Sequence, residues 1–149
     1  LRAGEYLEQG AVDAADALTH VWGYAVGLDM TRRDLQGEAK KAGRPWCSGK
    51  GFDHSAPIGA LRAAAECVID ANSAIVLEVN GAVRQSSTLG KLIWSVPEVI
   101  EHLSALWTLA PGDLIYTGTP AGVAAVAVGG TLAARIAGVG TLRIDVVAD

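Results

Sequence analysis

An apolar run from Val21 to Leu28, VWGYAVGL, predicts a buried strand that delivers one carboxylate, Asp29, to its end. Polar positions then take over. Asp29, Arg33, Gln36 and Lys40 are spaced four, three and four residues apart. A helix over Met30 to Lys41 would place all four on one face. Thr31 with Asp34 three residues later approximates a capping box for its start. In such a helix Asp34, five residues beyond Asp29, would be turned away from it. The glycine- and proline-rich segment Gly43 to Pro57 follows and predicts a long loop.

The rest of the chain alternates between strand and helix patterns. Val12 to His20 reads as a short helix with Asp13 as N-cap and Asp16 in its first turn. Ile58 to Ile69 is apolar and alanine-rich, and Asp70 to Ser73 reads as a turn. Ala74 to Val79, AIVLEV, predicts a strand. Asn80-Gly81 is a hairpin signal, and Ala82 to Gln85 is the return strand. Ser95 to Leu106 predicts a helix capped by Ser95, with Pro97 and Glu98 in the first turn. Val96, Val99, Ile100, Leu103 and Leu106 or Trp107 recur at helical spacing and are expected in the core. Pro111 to Asp113 is a turn into a strand over Leu114 to Tyr116. From Val126 onwards short strands are punctuated by Gly129-Gly130 and Gly138-Val139-Gly140. Together these elements predict a sheet-rich α+β domain covering residues 1–149.

Composition narrows the class. The chain has 149 residues, of which 50% are hydrophobic, enough for one domain with a core and inconsistent with disorder. No apolar run approaches the roughly 18 residues that span a membrane. LRAGEYLEQG at the start lacks the apolar centre of a secretory signal. The net charge of -4, with no basic stripe, argues against nucleic acid as a partner. Cys47 and Cys67 are too few for a disulfide framework, and neither has zinc-finger spacing. A reduced, cytoplasmic protein is expected.

Several residues carry candidate chemistry. Lys50 lies between Gly49 and Gly51, and flanking glycines would let a tight backbone turn aim its ammonium inward. A solvated lysine is the alternative. His54 in the same loop is more simply a surface histidine than a ligand. Thr117 to Gly122, TGTPAG, is either an ordinary turn or a loop whose N–H groups and hydroxyls hold an anion. The Gly-Lys pair lacks the remaining residues of a phosphate loop.

Two blocks carry a family resemblance. GLDMTRRDLQ with GRPWCSGKGFDHSAP, and LEVNGAVRQSS with LIWSVPEVIEHLSALWTLAPGDLIYTGTPAG, resemble the fumarylacetoacetate hydrolase family. The likeness is greatest to its fumarylpyruvate (acylpyruvate) hydrolase branch. The resemblance implies a mixed β-roll or sandwich with short helices, usually a homodimer. It implies cleavage of a carbon–carbon bond in a 2,4-dioxo acid such as fumarylpyruvate, in the degradation of aromatic compounds. A hard divalent ion, Mg²⁺ or Mn²⁺ with Ca²⁺ as a further candidate, would be held by carboxylates. By position, Asp29 would be a metal ligand and Lys50 the catalytic group that balances developing negative charge. Arg33 and Gln36 would contact substrate or orient the loop, and Thr119, by its hydroxyl or backbone, would bind the substrate carboxylate.

The chain departs from the family pattern upstream. The family's other metal ligands form a Glu-x-Glu that would fall at or before position 1, and its water-activating His and Glu lie further upstream still. Glu5 and Glu8 have the wrong spacing and stand too close to Asp29. The 149 residues by themselves are therefore expected to bind Mg²⁺ weakly and to hydrolyse nothing. Two other readings remain open. One is a metal-dependent decarboxylase, isomerase or hydratase of a related 2-oxo acid. The other is a non-catalytic truncated relative.

Overall fold

The computed structural model describes residues 10–148, so Glu5 and Glu8 lie outside the described residues. At its centre is an antiparallel sheet built on the predicted hairpin. Strands β3 (Ala74–Val79) and β4 (Ala82–Thr88) meet at Asn80 and Gly81, with φ of 52° and 78°. Two successive positive φ angles make the turn whose twist matches that of the strands, and Asn-Gly adopts them most readily. Strand β4 runs three residues beyond the expected Gln85. Strand β5 (Thr131–Ile136) pairs with the other edge of β3, and β6 (Gly140–Asp145) closes the order β4-β3-β5-β6.

One face of this sheet is apolar, because alternate residues point the same way. Leu77 stands opposite Ala134, and Val79 opposite Leu132. Leu142 and Ile144 continue the face on β6, against Ala134 and Leu132. Val26 and Leu28 cover it, together with Tyr24, Met30 and Val126. The expected strand Val21 to Leu28 is regular only at β1 (Gly23–Tyr24), which pairs with β2 (Arg62–Ala63). Beyond it the chain stays extended and hydrogen-bonds the loop. Leu28 N donates to Pro57 O at 2.9 Å and Met30 N to Ser55 O at 2.8 Å. The apolar pattern thus predicted extended, buried chain correctly, but regular pairing covers only two residues and one bridge, Gly27 with Ile58.

A second apolar cluster forms under helix α3 (Val96–Ser104). Ser95 caps it as expected, and the structure adds a reciprocal contact: Glu98 Oε2 accepts from Ser95 N at 2.7 Å, and the Ser95 hydroxyl faces the Glu98 amide. Ile100 is buried, and Val96 and Leu103 pack beside it against Val12, Ala17 and Leu109. Leu106 and Trp107 are not in the core; they are 57% and 62% exposed. The helix stops at Ser104; Trp107 N still donates to Leu103 O at 2.9 Å, yet the side chains of Leu106 and Trp107 face away from the core.

Three other expectations are corrected. Val12 to His20 contains only a 3-10 turn, Ala17–His20, because its amides are drawn to α3: Ala14 N donates to Glu101 Oε1. Leu114 to Tyr116 is not a regular strand, and its Tyr116 hydroxyl donates to Ala56 O at 2.8 Å. The charged segment is helical only over α1 (Arg33–Lys41), with no side-chain cap. The Thr31 hydroxyl instead lies 3.4 Å from Asp29 O and turns to the site.

Candidate active site

Asp29 leaves the extended segment where the apolar sheet face ends. A second helix, α2 (Cys47–Lys50), brings Lys50 back to it. Lys50 Nζ donates to Asp29 Oδ2 at 2.7 Å and to the Thr31 hydroxyl at 3.0 Å. The pair is a third or more exposed, so its stabilising effect on the fold is small; a surface ion pair contributes about 0–1 kcal/mol. What it fixes is geometry.

Glycine aims Lys50, but not by the tight turn expected from the sequence. Gly49 and Gly51 both have negative φ, with Gly51 at −99°. Gly49 is buried against α1, and a Cβ there would stand 3.0 Å from Gln36 N and 3.2 Å from Arg32 O. Arg32 N donates to Gly49 O at 2.9 Å, and the Arg32 guanidinium lies 4.5 Å from the Phe52 ring centre. Helix α2 therefore packs backbone to backbone on the start of α1.

A cavity of about 420 Å³ opens between the apolar sheet face and this segment. Asp29, Thr31 and Arg33 line it, and Thr119 reaches it from the Thr117–Gly122 loop. Gln36 is not at its wall: it is half-buried and its Oε1 accepts from Arg33 Nη1 at 3.2 Å. Asp34 also lines the cavity, because Asp29 stands before the helix and the helical offset between them does not apply. From the sequence, Asp34 is expected to turn away from Asp29 and Tyr116 only to end a strand, so neither is a site candidate there. The Tyr116 ring lies against Gly27, and burial, then the negative charge of Asp29, push its phenol above its ordinary value. His54 is exposed in a left-handed conformation, as suits a surface residue.

The donors suit a hard cation in part. Asp29 offers an oxygen ligand, and its Oδ1 takes no hydrogen bond from a described residue. Among the described residues no group of three His, Cys, Asp or Glu side chains could close a metal site. Asp29 therefore offers one ligand position, and the described residues do not complete a site around it.

Asp29 and the Thr119 loop line one cavity of an α+β fold, and Lys50, which is not among the lining residues, reaches it only through its contacts with Asp29 and Thr31. Residues 6–147 match the family model described as fumarylacetoacetate (FAA) hydrolase C-terminal, and the chain belongs to the fumarylacetoacetate hydrolase family. It is 47% identical over 126 residues to a fumarylpyruvate hydrolase of a Ralstonia species, covering 85% of this chain and 65% of that protein. A mitochondrial oxaloacetate tautomerase of Rattus norvegicus is 43% identical over 137 residues, with coverage of 91% and 62%. The crystal structure of fumarylpyruvate hydrolase from Pseudomonas aeruginosa, in complex with Mn²⁺ and pyruvate, superposes with a TM-score of 0.89. Its identity is 49%, over 97% of this chain and 63% of that one. The chain thus spans less than two thirds of the length of these relatives.

Proposed function

We propose that this chain is the greater part of a metal-dependent hydrolase that cleaves an acylpyruvate such as fumarylpyruvate to fumarate and pyruvate. The observation that carries it is the 2.7 Å contact from Lys50 to Asp29, a carboxylate that lines the same cavity as Thr119. Support comes from the relatives at 47% and 49% identity, one of which is in complex with Mn²⁺ and pyruvate. Asp29 would be one ligand of Mg²⁺ or Mn²⁺, with Ca²⁺ a weaker candidate. Such an ion supplies positive charge at the keto-acid end of the substrate.

The chain's own residues have distinct parts. The Lys50 ammonium, fixed by Asp29 and Thr31, faces the negative charge that develops as the carbon–carbon bond breaks. Preorganised charge of this kind lowers the barrier without reorganising during the reaction. Arg33, steadied by Gln36, and Thr119 bind and orient the substrate carboxylate. The apolar wall from Val26 to Leu28 and the sheet face keep water away from the carbon chain. In the balanced reaction, water adds its oxygen to the acyl carbonyl, the bond to the adjacent methylene breaks, and the methylene carbon takes up a proton.

A tautomerase reading uses the same pair, and the 43% identity to an oxaloacetate tautomerase favours it as the alternative. Product analysis separates them. The protein is incubated with Mn²⁺ and either fumarylpyruvate or oxaloacetate. Equimolar fumarate and pyruvate from the first supports hydrolysis. Enol–keto interconversion of the second, with fumarylpyruvate left intact, supports the tautomerase. Lack of turnover with Mn²⁺ bound would favour a non-catalytic relative.

Two further properties belong to this proposal. One is a homodimer, supported by exposed Trp22, Trp46, Trp94 and Trp107, each at least 45% exposed. The other is a cytoplasmic, single-domain catalytic unit acting in aromatic catabolism, supported by the kinship with fumarylpyruvate hydrolase.

A further inference from the structure

Gln85 breaks the apolar pattern of the sheet. It stands opposite Leu77, on the face that forms the core, and it is only 8% exposed. A β-bulge puts it there. Leu77 pairs with Gln85 but Glu78 pairs with Val83, so Arg84 is the extra residue and the strand changes register around it. A buried amide is costly unless its hydrogen bonds are made. Gln85 Nε2 donates to Pro120 O at 3.0 Å. That carbonyl belongs to a segment outside any helix or strand, where no ladder would hold it.

The same bulge grips the loop a second time. Gly122 lies against the carbonyl of Arg84, with no space for a Cβ between them. Gly118 and Gly122 have φ of 142° and 100°, so the loop between them is bent at both ends into conformations that other residues rarely adopt. Thr119 sits inside that span and lines the cavity, next to the Pro120 that Gln85 holds.

We propose that Gln85 is a positioning residue for substrate: through Pro120 it sets where Thr119 meets the substrate carboxylate. This rests on the reading of Thr119 given above. Gln85 also lines the cavity, but its amide donor is taken by Pro120 O, so in this scheme it acts through the loop. Its amide replaces the backbone ladder that the loop lacks, and the bulge at Arg84 supplies the register that makes the contact.

The test uses the full protein with saturating Mn²⁺, pyruvate as the binding probe and fumarylpyruvate as substrate. Gln85→Met keeps side-chain length and removes the donor. It is expected to weaken pyruvate binding about tenfold and to raise KM similarly, the effect of losing one hydrogen bond from the site, with a smaller change in kcat. Thr119→Val should weaken pyruvate as well, and the double variant should bind no worse than Thr119→Val alone, since both act through one contact. Pyruvate affinity and KM unchanged in Gln85→Met, with Thr119→Val impaired, would overturn the proposal and leave the Thr119 reading intact. An unimpaired Thr119→Val would overturn both. A Gln85→Met protein with a lowered melting temperature alone would also overturn it. If that variant does not fold, Gln85→Glu carries the same measurements, and failure of both to fold assigns Gln85 a purely structural role.

Discussion

The backbone of Gln36 leaves no room for a side chain on Gly49: a Cβ there would stand 3.0 Å from the Gln36 amide nitrogen. That contact seats α2 on α1 and brings Lys50 to Asp29. Gly49→Ala should push the two helices apart, since the new methyl group would meet the backbone of Arg32 and Gln36 at 3.0–3.2 Å. Overpacking of this kind costs about 1–3 kcal/mol. The expected outcome is a lower urea midpoint together with a lower kcat. A variant with wild-type kcat would show that Lys50 reaches Asp29 without this packing.

Lys50→Met should retain the fold and lose turnover by roughly 10²–10³, the usual effect of removing one preorganised electrostatic partner. The pair is partly exposed, so its removal should leave stability almost unchanged. Steady-state kinetics with fumarylpyruvate, beside a denaturation curve, check both parts. Unchanged kinetics would make Lys50 a solvated lysine.

Glu98 should make α3 sensitive to acid. Its hydrogen bonds from the Ser95 amide and hydroxyl lower its pKa below the ordinary 4.5. A depressed folded-state pKa contributes stability that is present above the unfolded value and is lost as pH falls through the folded one. Glu98→Gln should therefore flatten the fall in melting temperature below about pH 4.5. Superimposable pH profiles for the two proteins would remove Glu98 from the linkage.

How much could be read from the sequence differs between sheet and site. Ala74–Val79 was legible because alternation and Asn80-Gly81 are local signals, and both survive packing. The capping box at Ser95 is local too. Leu106 and Trp107 were misplaced because the core-facing spacing was continued past the end of α3 at Ser104. Asp29 and Lys50 were legible as candidates through motif order, but their contact spans 21 residues and depends on how α2 seats against α1. Gly49 shows the limit well: the residue type was informative, while its cause, close approach instead of a left-handed turn, exists only in three dimensions. Gln85 gave no signal at all, since a bulge rather than alternation sets its direction.

Titration of Mn²⁺ into the full protein and into Asp29→Asn, followed by calorimetry, tests the central claim most directly. Asp29 is proposed as a ligand whose Oδ2 is held by Lys50. Its loss should weaken Mn²⁺ binding by at least about tenfold, the lower end of what even an outer-shell partner contributes. Pyruvate binding that requires Mn²⁺ should fall with it. Mn²⁺ affinity equal in the two proteins would contradict the account, leaving the Lys50–Asp29 pair a surface ion pair beside a site built from other residues.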